Sequence, residues 1–420
     1  MKVCISDIFG SLNRGDALLC DALINSINIA FPDAKLTGVA HYPDIERTRH
    51  PNIDWQEAPS RSRAQNLYAR RIINGFRSAA TLGYSTIGGP DKLSSLYPLP
   101  KGQLAAIHNI KSADLMISSA GGFLLDANAT IYSHLLQFYL AKRFNTPFVL
   151  APQTIGPIQG DTLKKLTSAA LSEAKLIAVR EQYSYDFVVN DLGIPSHKVL
   201  RTTDIAFEHD ETDVEGGIEA LAELGVKPGE SFIGATTVNW KFHGEEDPKR
   251  SYNSYREKII SAINEMHRRF GRRVVLFNQV SQDLPLAREV AARCGSAVVL
   301  DEKDRSTEVM RGMIERADVF FGSRFHSCVF ALLSRVPLFC LAYTYKSTGI
   351  LDDLKMSDRV TPIGDFDVES VVRTIGWLLE NHEQEVKRIE TAIGKLRYPK
   401  FSSILTEVAV EIQEHRSALT

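Results

Sequence analysis

The chain reads as an α/β protein built from two Rossmann-like parallel sheets with a helical C-terminal tail, and three features of its 420 residues carry that reading. Short apolar runs alternate with helix-length amphipathic segments from Lys2 onward and again from Phe232 onward. An acidic, glycine-containing stretch, Phe207 to Gly229, separates the two series. Glycine- or serine-bearing loops recur at the strand exits, the edge where open parallel sheets hold ligands.

In the first series Lys2 to Ile5 is a strand, and the loop Phe9 to Asp16 opens a helix whose apolar face is Leu18, Leu19, Leu23, Ile24 and Ile27. Lys35 to Ala40 is the next strand. The polar stretch from His41 to Pro100 has little strand signal and reads as an insertion or a substrate lid. Within it Arg61, Arg63, Arg70, Arg71 and Arg77 fall across one helix; a solvated face is the default, an acidic membrane surface or polyanionic acceptor the alternative. Alternation resumes with strand Asp114 to Ser118, helix Thr130 to Phe144, strand Pro147 to Ala151, helix Asp161 to Ala174 and strand Lys175 to Val179, which exits at Arg180. The second series runs through strands Phe232 to Val238, Arg273 to Phe277 and Ala297 to Leu300 to the stretch Ala317 to Gly349, and Val368 to His415 is helical. The expected domains are residues 1–206, with the insertion at 41–100, then 207–366, and last 367–420 as helices packed on both.

Composition removes several function classes. With 49 Lys and Arg against 51 Asp and Glu, the net charge of −2 does not favour nucleic acid as a partner. The five cysteines have no CxxC or zinc-like spacing and read as buried reduced thiols. The start, MKVCIS, is strand-like rather than a secretory leader, and no run approaches the roughly 18 apolar residues of a membrane span.

The stretch Ala317 to Gly349 has the grammar of an anion site. A buried strand, Val319 to Phe321, exits at Gly322-Ser323; Ser323 is the expected N-cap, with Arg324 and His326 in the first helical turn, where amides and dipole favour an anion. A second strand, Pro337 to Ala342, delivers Lys346 into the next loop. Elsewhere Gly121-Gly122 reads either as a turn or as a close approach to ligand. Asp16 is either a helix N-terminal acid or a functional one. Pro152 to Pro157 reads as a rigid strand-end turn, Asp126 and Asp204 as solvated loop acids, and His108, His134, His209 and His243 as non-ligands. Walker and GxGxxG loops are absent.

Several motifs together, NRGDALL, SSAGGFLLD, APQTIGPI, AVREQYSYDFV, TTDIAF and GSRFHSCVFALLSRVPLFCLAYTYKSTGILDDL, span Asn13 to Leu354, and on them the chain resembles the polysaccharide pyruvyl transferase family. Phe325 stands where the family commonly has Leu, and residues 41–100 carry none of these motifs. The resemblance implies two Rossmann-like domains facing a cleft, as in the glycosyltransferase-B architecture, the C-terminal one on the donor side. It further implies transfer of a pyruvyl group from phosphoenolpyruvate to a sugar as a cyclic ketal, with no cofactor and no metal. Arg180, Arg324, Phe325 and Lys346 are then donor-binding, His326 the acid/base, Asp16 a base toward the acceptor, and Asn13, Gly121 and Gly122 acceptor-binding. The implied partner is a saccharide, lipid- or nucleotide-linked, in the cytoplasm or at the inner membrane face with peripheral contact. The competing readings are a glycosyltransferase using a nucleotide sugar and a non-catalytic glycan-binding protein.

Overall fold

The computed structural model describes residues 1–11, 13–62, 64–96, 99–209, 211–242, 245–396 and 398–417, so Arg63 and His243 lie outside the described residues. By contact the chain forms two compact units, Met1–Ser11 with Asp16–His209 and Tyr398–Thr420, and Leu12–Gly15 with Asp210–Arg397.

The first unit contains β1 (Lys2–Ile8), α1 (Arg14–Ala30, entered from the second unit's loop), β2 (Lys35–Ala40), α2 (Pro43–Arg49), β3 (Asp54–Glu57), α3 (Leu67–Leu96), α4 (Lys101–Ser112), β4 (Leu115–Ser118), β5 (Gly121–Leu124), α5 (Ile131–Arg143), β6 (Phe148–Ile155), α6 (Asp161–Leu171), β7 (Leu176–Val179), α7 (Gln182–Asp186) and β8 (Val199–Arg201). Its sheet runs β3-β2-β1-β4-β6-β7-β8, with β5 on β6, and every ladder is parallel. All carboxyl ends therefore share one edge. The chain works outward from β1 in both directions, which leaves a switch point between β1 and β4. Six of the seven β1 residues are buried, as expected of a strand covered on both faces.

Three expectations change here. Residues 41–100 are not a strandless insertion: α2 and β3 continue the sheet outward, and Asp54-Trp55-Gln56-Glu57 was missed because only Trp55 is fully buried in an otherwise polar edge strand. Gly121-Gly122 is neither a turn nor a loop but the start of β5. Similarly Pro152 to Ile155 lies inside β6, where buried Gln153 donates to Ser118 Oγ at 2.7 Å and to Ser119 O at 2.6 Å.

The second unit contains α8 (Val214–Glu223), β9 (Phe232–Ala235), α9 (Pro248–Phe270), β10 (Arg273–Phe277), α10 (Leu284–Cys294), β11 (Val298–Asp301), α11 (Thr307–Ile314), β12 (Val319–Gly322), α12 (Phe325–Leu333), β13 (Leu338–Ala342), α13 (Tyr345–Asp353), β14 (Val360–Pro362), α14 (Val368–Glu380) and α15 (His382–Gly394). Its parallel order, β11-β10-β9-β12-β13-β14, puts a second switch point between β9 and β12. The final helix, α16 (Phe401–Ser417), belongs to the first unit, where the half-buried Glu208 carboxylate accepts from the Phe401 and Ser402 amides.

A buried ion pair ties three strand ends of the first sheet. Arg180, just past β7, donates through Nε to Thr154 Oγ1 of β6 at 2.8 Å and pairs through Nη1 with Asp204 beyond β8. Asp204 is thus no solvated loop acid: it is 2% exposed and also caps the following turn through Ala206 N at 2.9 Å. Removing one member strands the other charge in a dry interior. In urea unfolding, Arg180→Ala will lose about 3–5 kcal/mol of stability, with a smaller loss for Arg180→Ala/Asp204→Ala together.

Candidate active site

The second unit's switch point is organised by one hydroxyl. Thr236, just past β9, accepts from Ser323 N at 3.1 Å and Arg324 N at 3.3 Å, two amides at the exit of β12. An oxygen accepting twice has its proton left to give. That proton goes to Ser327 Oγ at 2.9 Å, and the Ser327 proton to Arg324 O at 2.7 Å. The helix is consequently capped from a neighbouring strand. Arg324, not Ser323, occupies the N-cap position, with φ −81° and ψ 129°.

Arg324 is one residue earlier than the sequence suggested, and its guanidinium is turned onto Asp283, with Nε to Oδ2 at 2.6 Å and Nη2 to Oδ1 at 2.7 Å. Burial works against its charge, yet Asp283 and Tyr343 hold it above its ordinary value. Nη1 has the Tyr343 hydroxyl at 3.5 Å, and the guanidinium carbon lies 5.5 Å from the centre of that ring. The fork expected to grip an anion is therefore largely matched in advance. Asp283, 2% exposed, escaped the sequence reading because it sits 41 residues away in an ordinary helix-start context.

His326 is the second residue of α12, its ring edge-on to the buried Phe325 ring with centroids 4.9 Å apart. Against it lies Gly15: a Cβ there would stand 1.9 Å from His326 Nδ1. Asn13 spends its side-chain oxygen on the Gly15 amide at 3.0 Å, capping α1, while Arg14 N reaches Gln279 O at 3.4 Å. Asp16, half-buried, is the acid in the first turn of α1. Lys346 is not in a loop but in the first turn of α13. Since β12 and β13 are adjacent and parallel, α12 and α13 begin at the same sheet edge.

The first unit's switch point carries a constellation that the sequence reading missed. A bulge in β1 puts Asp7 at φ 64° and turns it toward α5. Asp7 Oδ1 lies 2.9 Å from His134 Nδ1 and accepts from Gln137 Nε2 at 2.7 Å. Asn128 donates its amide to Phe123 O, so its oxygen takes the Thr130 hydroxyl proton at 2.8 Å, and Thr130 Oγ1 lies 3.2 Å from His134 Nε2. Phe123 stacks on His134 at 5.1 Å, and its ring folds over Gly121, whose φ of 139° and lack of Cβ permit it. No sequence pattern links Asp7 to His134, 127 residues apart. Nearby, Cys20, Glu46 and His50 bring ligand-type atoms within 4.8 Å of one another, but the Glu46 carboxylate is already met by Ser11 N at 2.7 Å and Ser11 Oγ at 2.9 Å. All five cysteines are free and buried, and burial pushes the Cys4 thiol up to about 12.

His41, at the end of β2, is held well below the usual imidazole range by burial first, then by His134, Arg61 and Arg70. The unfolded chain binds a proton below its model value of 6.5 that the folded chain refuses, so stability is full above that value and falls as pH drops below it. Thermal scans from about pH 7 to about pH 5 will show a falling midpoint, and His41→Gln will flatten the upper part of that fall.

Two comparisons bear on this arrangement. The polysaccharide pyruvyl transferase family model matches residues 13–345. Among solved structures, the Anabaena protein Alr3699/HepE in complex with UDP and glucose aligns at TM-score 0.60 and 12% identity, over 99% of this chain and 100% of that one. The UDP-GlcNAc 2-epimerase of Neisseria meningitidis bound to UDP-GlcNAc aligns at 0.60 and 14%, over 98% and 100%. A glycosyltransferase from Rickettsia africae aligns at 0.58 and 10%, over 98% of each chain. At such identities these show the fold alone, two parallel-sheet α/β domains of glycosyltransferase-B type. The family match covers most of the chain and includes both Gly15 and the Arg324-Phe325-His326 turn that it faces: the protein belongs to the polysaccharide pyruvyl transferase family.

Proposed function

We propose that the protein transfers a pyruvyl group from phosphoenolpyruvate to two hydroxyls of a saccharide in cell-surface polymer synthesis, releasing phosphate. The observation that carries the proposal is Lys346 in the first turn of α13, beside the start of α12 with His326. Toward the dipole of its own helix a first-turn cation is unfavourable by about 0.3–1 kcal/mol. A bound phosphate or carboxylate reverses that sign, and phosphoenolpyruvate carries both.

In the reaction two C–O bonds form at C2 of the donor and the C2–O bond to phosphate breaks. Of the two hydroxyl protons lost, one ends on C3, making the methyl group, and the other leaves with phosphate. His326 moves the proton at the donor, as the side chain that titrates near neutrality, and Lys346 with the Nη1 edge of Arg324 offsets charge on the phosphate. Phe325 holds the imidazole in plane by its edge contact. Asp16 takes the first hydroxyl proton, while Asn13, Gly121 and Gly122 act through backbone shape rather than through free side chains. Arg180, matched by Asp204, supports the first sheet's edge. Neither metal nor cofactor takes part.

Incubation with phosphoenolpyruvate and a panel of saccharide precursors will release phosphate and add about 70 Da to one acceptor; release of nucleotide from UDP-sugars instead would replace this reading with a glycosyltransferase. His326→Ala will lower kcat by about 10²–10⁴-fold with an unchanged unfolding midpoint. Gly15→Ala, which forces the imidazole off its position, will lower kcat about tenfold or more while leaving circular dichroism as it was.

A further inference from the structure

Cysteine spacing along the chain has no zinc motif, yet folding gives Cys20 the neighbours of one. Glu46 lies in α2 and His50 directly past its end, four residues on, so both side chains share a face. Cys20 and Asp21 come from α1, within the same unit. Cys20, Glu46 and His50 each offer a ligand-type atom, all within 4.8 Å of one another, and Cys20 Sγ stands 3.9 Å from Glu46 Oε2. With bonds of about 2.0–2.3 Å, the ligand atoms of a tetrahedral zinc ion are roughly 3.3–3.8 Å apart. The three atoms thus lie within about 1 Å of the spacing that zinc imposes.

Two groups in this cluster lack an answer inside the fold. Glu46 is wholly buried, and among the described residues no cation pairs with it. Its oxygens take the Ser11 amide at 2.7 Å and the Ser11 hydroxyl at 2.9 Å, which fix the carboxylate and leave a second lone pair on each oxygen. A dry carboxylate without a countercharge is costly. The second group is His50 Nε2, closed to solvent and 3.0 Å from Asp21 Oδ1. It makes no hydrogen bond there, so the two atoms are not aimed at each other. Asp21 itself is already matched, with Oδ2 2.6 Å from Arg49 Nη2. A divalent ion on one thiolate, one carboxylate and one neutral imidazole answers both groups and leaves no net charge. Thiolate and imidazole select zinc over calcium and magnesium, which take oxygen ligands.

We infer that Cys20, Glu46 and His50 bind a structural zinc ion that pins α2 to α1, with water in the fourth position. Binding forms the zinc–sulfur bond and releases the Cys20 thiol proton to solvent. The ion stays outside the transfer chemistry, and the inference does not rest on the pyruvyl-transfer reading. The full chain, free of any affinity tag, is stripped with a chelator, loaded with zinc or with cobalt(II) and dialysed. Metal content, near-ultraviolet absorption and the unfolding midpoint are then measured. A single zinc ion per chain is expected, with a raised midpoint, and the cobalt form should show the charge-transfer band of a thiolate ligand. Cys20→Ser should lose that band. His50→Ala, a change just past a helix end, should weaken zinc binding about tenfold or more with circular dichroism unchanged, and it carries the test should Cys20→Ser not fold. A wild-type chain that keeps no stoichiometric metal overturns the inference. So does a cobalt–thiolate band that survives in Cys20→Ser, or zinc affinity in His50→Ala equal to that of the wild type.

Discussion

The Thr236 hydroxyl is the point on which the second unit's chemistry hangs. It sits where the two halves of the sheet part, between β9 and β12, and it accepts two amides from a turn whose own N-cap side chain, Arg324, makes no cap bond. Its proton passes through Ser327 to Arg324 O, so the direction of each bond is forced. The start of α12 is consequently fixed relative to the strand beside it. Arg324 is turned to Asp283 and His326 to the glycine that faces it, because the backbone between them has no freedom left.

Much of this was readable from residues alone. Alternating periods of apolar residues marked nearly every inner strand, since a strand buried on both faces has to be apolar along its length. The motif around Arg324 and His326 declared itself because a short apolar run, a small-residue exit and a helix start are local signals. What stayed hidden was either polar or distant. Strand β3 shows one buried tryptophan among polar neighbours, and β5 begins with two glycines, so neither has the apolar period that marks a strand. Asp283 and Asp7 acquire their meaning from partners 41 and 127 residues away, and spacing along a chain does not report such pairs.

The same contrast explains the cations. Sequence places Arg180 and Arg324 at strand exits and implies open charge, but a guanidinium in a buried setting needs a carboxylate before any ligand arrives. Asp204 and Asp283 supply it. Lys346 differs, because a lysine on the first turn of a helix gains nothing from that helix itself. The matched arginines make a rigid frame at the two sheet edges.

The return of α16 to the first unit has a consequence for how the chain is made. Glu208 takes its amide partners from Phe401 and Ser402, which leave the ribosome after the whole second unit has been synthesised. During translation the first sheet can form its ladders, since the strands among the described residues pair within their own unit. It cannot complete that side of its surface. The nascent first unit therefore waits, with the Glu208 carboxylate and an apolar seat for Phe401, Ile404 and Leu405 still wet, until the final helix arrives.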